Sequence, residues 1–103
     1  MEVISTCNKS ELFKNINDRK ALFSKIESFS GQCKVDNLLQ SIEGFHDLSS
    51  KIMRLSMDCF NSHLITRDVY YGIRRETDEM YSQIKKIVNR SLKEKCHIEW
   101  YAV

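Results

Sequence analysis

Residues 35–92 read VDNLLQSIEGFHDLSSKIMRLSMDCFNSHLITRDVYYGIRRETDEMYSQIKKIVNRSL. Every seventh residue from Leu38 forms the row Leu38, Phe45, Ile52, Cys59, Thr66, Ile73, Met80 and Ile87. Only Thr66 breaks its apolar character. A seven-residue repeat marks helices that pack along a seam. Four residues on, the companion row is Ile42, Ser49, Ser56, His63, Tyr70, Thr77, Ile84 and Ser91. Five of its eight residues are Ser, Thr or His, where a two-stranded coiled coil takes Ile, Val or Leu. Other apolar residues flank the seam: Leu39, Leu48, Met53, Leu55, Phe60, Val69, Tyr81 and Val88. Such a broad stripe suits a helix buried in a bundle.

Working outward, three segments emerge. Helix 1 is expected over about 10–29, with Leu12, Phe13, Ile16, Leu22, Phe23, Ile26 and Phe29 at helical spacing. Asn8 and Glu11 have the spacing of a capping box, and Gly31 is placed for a left-handed C-cap. Helix 2 is expected over about 35–62, with Asp36 as N-cap and Gly44 on the side away from the core. Helix 3 is expected over about 66–95. Its early acids and late bases match the helix dipole. Between the last two, residues 60–68 read either as a turn or as one continuous helix. The turn is favoured, with Thr66 as cap and Ile65 and Tyr70 as a hydrophobic staple. A lone helix of that length from a 103-residue chain needs a partner to cover it. The tail 97–103 alternates and is aromatic, like an extended segment. The fold class is therefore all-α: one domain, a three-helix arrangement with a long, coiled-coil-like antiparallel hairpin and a short extended C-terminal tail.

Composition agrees. The chain has 42% hydrophobic and 29% charged residues, no Pro and three Gly, so few turns and long helices follow. A net charge of +2 is too small to indicate nucleic acid or a membrane surface. No apolar run is long enough for a membrane span. The first residues, Met1 to Cys7, lack the basic start and apolar run of a signal peptide. The four cysteines, Cys7, Cys33, Cys59 and Cys96, share no CxxC spacing. In an intracellular chain of the cytoplasm or nucleus they are expected as reduced thiols.

Chemistry is sparse. Cys59 and His63 share a helix face and Cys96 adjoins His97, but a zinc site needs about four converging ligands. No metal and no cofactor are expected. Five bases lie between Lys85 and Lys95 without interleaved aromatics, as on a solvated helix end. Gly-rich phosphate loops, GxSxG and HExxH are absent. Arg90 and His97, six residues apart in between, resemble the Arg-to-His element of HEPN-type ribonucleases, which are all-helical. In that family the Arg and His are implied in RNA cleavage. Ser91 stands here where that family has Asn, His or Asp.

The expectation is a non-enzymatic protein–protein interaction module. It would serve as scaffold or adaptor subunit of a homo-oligomer or larger assembly, binding through helix faces and the aromatic tail. Ile98, Trp100, Tyr101 and Val103 are its expected contact residues, since aromatics are favoured interface anchors. The last three residues, Tyr101-Ala102-Val103, also fit strand addition into a PDZ-type groove. Three alternatives stand beside it. One is an inhibitor or regulator of the viral kind that binds a larger protein. Another is a basic helical nucleic-acid binder, and the third an HEPN-like ribonuclease.

Overall fold

Asn8 opens the first helix by accepting a bond from the Glu11 backbone N–H, 3.0 Å away. This satisfies one of the donors that a helix start leaves open. In the computed structural model, which describes residues 8–30 and 32–95 with side chains through Lys93, three α-helices follow. They are α1 (Lys9–Ser28), α2 (Val35–Asn61) and α3 (Arg67–Arg90). A π-helical turn, Ser91–Lys95, continues α3. Among the described residues there is no strand. No helix there is long and apolar enough to cross a membrane. The tail 97–103 and the Gly31 cap lie outside the described residues.

The turn between α2 and α3 is real. His63 takes a left-handed φ of 60°. Thr66 Oγ1 accepts from the Val69 N–H at 3.2 Å. Ile65 and Tyr70, 8% and 5% exposed, clasp the corner from either side of that cap in one apolar cluster. The second N-cap differs from expectation: Lys34 occupies it without a side-chain bond, and Asp36 sits in the first turn. There its charge still favours the dipole.

The helices run up, down and up. Cross-contacts pair Glu11 with Lys51, Phe60 with Tyr70, and Phe29 with Ser91. Two apolar clusters fill the bundle. One gathers Leu12, Ile52, Leu55, Cys59, Ile65, Tyr70 and Ile73. The other gathers Ile26, Phe29, Leu38, Phe45, Ile84, Val88 and Leu92. Met80 and Ile87, on the seven-residue row, are only half-buried at the edge of the second. The companion row instead turns inward. Ser49, Ser56, Thr77 and Ser91 are all buried.

Arg19 explains this. It is fully buried on α1, between the two clusters. Its Nη1 donates to Thr77 Oγ1 at 2.6 Å and reaches Ser49 Oγ at 3.4 Å. Its Nη2 lies 3.6 Å from Glu76 Oε1, and its guanidinium sits 5.9 Å from the Phe45 ring centre. Leu or Ile at 49 and 77 would fill the space the guanidinium needs and leave its protons unbonded. Burial pulls the Arg19 pKa down, and the Glu76 carboxylate opposes that shift.

Three expectations are corrected. Gly44 does not face away from the core: a Cβ there would meet Leu22 Cδ2 of α1 at 3.3 Å. The last helical turn widens at Ser91, so that consecutive residues Ser91 and Leu92 are both buried, with Ser91 Oγ donating to the Phe29 carbonyl at 3.2 Å. The described cysteines are not reduced thiols: Cys33 and Cys59 are both disulfide-bonded. They flank α2 at opposite ends, about 39 Å apart at 1.5 Å per residue, so they are not bonded to each other.

Candidate protein-docking groove

Where α2 and α3 lie side by side, their outer edges leave a groove. Its cavity of about 420 Å³ is lined by Met53 and Met57 of α2 and by Tyr70, Arg74, Thr77 and Asp78 of α3. Helical spacing places these residues. Met53 and Met57 are one turn apart on α2, as are Tyr70 and Arg74 on α3, so each pair shares a helix face. The floor is fixed from below. Thr77 Oγ1 accepts from buried Arg19 while donating to the Ile73 carbonyl at 2.9 Å. Met53 Sδ lies 3.9 Å from the same hydroxyl.

The aromatic residues around the groove are held in place. Phe60 stacks on Tyr70 with ring centres 4.9 Å apart and an angle of 14°. Tyr71 meets Tyr70 edge-on at 5.3 Å. Further along the same two helices, Tyr81 packs edge-on against Phe45 at 5.2 Å. The Tyr81 hydroxyl and His46 Nδ1 are 2.9 Å apart.

Met57, in the groove wall, is 44% exposed; Tyr71, which meets the lining residue Tyr70 edge-on, is 47% exposed. Methionine's flexible, polarizable side chain adapts to varied shapes, which suits a contact surface. Arg74 and Asp78, both exposed, set one positive and one negative charge a single turn apart on the rim.

A second cleft, about 230 Å³, lies between the end of α1 and α3, lined by Glu27, Ser30, Gln83, Lys86, Ile87 and Arg90. Its charges are mixed, and Ile87 is its apolar member. Neither cleft assembles a nucleophile, base and oxyanion donors in mutual reach, the arrangement that acyl- or phosphoryl-transfer chemistry requires.

Of the expected contact residues, Ile98, Trp100, Tyr101 and Val103 all lie outside the described residues. So does His97, the second half of the HEPN-like pair; Arg90 is exposed at the end of α3. Cys59 is committed to a disulfide and His63 sits in the turn. Among the described residues no group of three metal-ligating side chains forms. Sequence reasoning missed the groove and Arg19 alike. Met53 and Tyr70 were visible as apolar neighbours of the seam, but nothing local distinguished a groove wall from core. No family model, curated protein or solved structure matches this chain.

Proposed function

We propose that the protein is a non-enzymatic interaction module whose α2–α3 groove docks a second copy of the chain. The observation that carries this is the rim. Arg74 and Asp78 stand one turn apart beside exposed Met57 and Tyr71. A two-fold contact applies the same patch to itself, so residue i meets j and j meets i. With two α3 helices antiparallel across the axis, Arg74 of each copy faces Asp78 of the other. Tyr71 supplies the large amphipathic anchor that such contacts favour. Exposed apolar surface rimmed by charge is the usual mark of an interaction site.

Two disulfide-bonded cysteines support an oxidising compartment as the working environment, in place of the cytoplasm or nucleus expected from the N-terminal residues. The module reading does not depend on that setting.

A charge-swap series with light scattering tests the proposal. The native protein should form dimers whose fraction rises with concentration. Arg74→Asp should weaken them by roughly tenfold or more, because like charges then face each other. The double variant Arg74→Asp with Asp78→Arg should restore the native affinity. Met57→Glu should leave a folded monomer. A native protein that stays monomeric at every concentration, or a double variant no better than the single, overturns self-association through this groove. In the first case an inhibitor or regulator of a larger protein becomes the preferred reading.

A further inference from the structure

The guanidinium of Arg19 is bonded on one side only. Its Nη1 donates to Thr77 Oγ1 at 2.6 Å and reaches Ser49 Oγ at 3.4 Å. Nε and Nη2, which form the other edge, make no hydrogen bond within the protein, although Arg19 is fully buried. Glu76 Oε1 faces that edge, 3.6 Å from Nη2, and is itself buried and unbonded. We propose that this edge is a binding site for one ordered internal water, which accepts from Arg19 Nε and Nη2 and donates to Glu76 Oε1.

The chemistry of the three atoms selects the ligand. The Nε and Nη2 protons point the same way in the guanidinium plane, so a single oxygen can accept from both. Glu76 Oε1 carries no proton and needs a donor. The occupant must therefore accept twice and donate once. A halide accepts but cannot donate, and it would meet the like charge of the carboxylate. A cation would face the N–H protons of a positive group. Water, neutral and able to do both, fits, and buried waters of this kind hold two to four polar partners.

The fold keeps the place for it. The short bond to Thr77 holds the guanidinium back from Glu76, and a charged contact stretched past hydrogen-bond length suits a bridging water. Asn15 Nδ2, one turn earlier on the inward face of α1, is a further buried donor without a bond, so the polar surface continues along that helix. The Glu76 side chain is 41% exposed, so its carboxylate runs from the interior to the surface and marks a route for water to enter. The bound water hydrates a charge in the middle of the bundle. It also backs the guanidinium against Thr77, which lines the α2–α3 groove.

A high-resolution crystal structure of the native protein, grown in sodium bromide, tests the site. A water within about 2.7–3.2 Å of Arg19 Nε, Arg19 Nη2 and Glu76 Oε1 is expected. An anomalous bromide peak there, or a Glu76 carboxylate bonded directly to both N–H groups, overturns the proposal. In solution, the Arg19 Nε proton should show a cross-relaxation peak to water whose sign in the rotating frame marks a bound molecule and not proton exchange. Glu76→Ala removes the acceptor and opens the edge to solvent, so that peak should be lost while circular dichroism keeps its helical signal. Glu76→Gln, which retains an oxygen acceptor, should keep the peak. No peak in the native protein, a peak of native strength in Glu76→Ala, or its loss in a folded Glu76→Gln would each overturn the site.

Discussion

Arg19 concentrates the physics of this protein in one side chain. A fully buried guanidinium is costly unless its protons are bonded and its charge answered. Thr77, Ser49, Glu76 and the Phe45 ring do this only in part. Arg19 Nε and Nη2 and Asn15 Nδ2, one turn away, make no hydrogen bond. Removing one member strands the others, and the loss should be greatest where a cavity opens as well. Arg19→Ala should lower unfolding free energy by about 2–4 kcal/mol, since it opens a cavity and strands Ser49. Arg19→Met should cost less than Arg19→Ala because it refills the volume and Thr77 keeps its bond to the Ile73 carbonyl, but it still strands Ser49 and the buried Glu76 Oε1. Thr77→Val should cost about 1–3 kcal/mol, leaving Arg19 Nη1 with only the long contact to Ser49. Urea denaturation of the three variants checks the order. Equal losses for Ala and Met at position 19 would show that charge, not volume, dominates there.

At the scale of the element, the two helical glycines separate propensity from packing. Both lie within helices, where Gly costs about 0.5–1 kcal/mol relative to Ala. Around Gly72 of α3 a Cβ meets nothing within 4 Å. Gly72→Ala should therefore stabilise by most of that amount. Gly44 is different, because its Cβ would stand 3.3 Å from Leu22 Cδ2 where α1 and α2 cross. The leucine must yield a few tenths of an ångström, so Gly44→Ala should gain less than Gly72→Ala. Thermal melts of the two variants, compared at one pH, decide it; a larger gain at Gly44 would mean that Leu22 yields at no cost. Much of this level was legible in advance. Thr66, Ile65 and Tyr70 favoured a corner between α2 and α3 through cap and staple spacing, against a seven-residue register that ran through it unbroken. Asn8 announced the start of α1. The widening at Ser91 was not legible, since it follows from a bond to Phe29, sixty-two residues earlier in the chain.

For the whole molecule, shape follows from three long helices laid side by side. The bundle measures 59 by 21 by 21 Å, with a radius of gyration of 16.4 Å. A compact chain of this length would have a radius nearer about 13 Å. An elongated rod offers long lateral faces, and the α2–α3 groove lies on one of them. Dimers formed there should lie side by side, so the largest dimension should grow only modestly while the cross-section widens. Small-angle scattering of the native protein against monomeric Met57→Glu measures this. A near-doubling of the largest dimension would point to end-to-end association and away from the groove.

The sequence by itself determined helical segments, their order and the apolar stripe, and favoured a turn within 60–68 over one continuous helix, because periodicity, caps and the scarcity of Gly and Pro act within a few residues. Tertiary structure alone decided what lies inside. Arg19 is buried only because Ser49 and Thr77, thirty and fifty-eight positions away, bring hydroxyls to it; in the sequence those residues looked like gaps in a seam. Met53 and Tyr70 become groove walls only because α3 docks beside α2 at that height. Cys33 and Cys59 looked like separate thiols because a disulfide depends on which chain segments meet in space, and spacing along the sequence carries no trace of that.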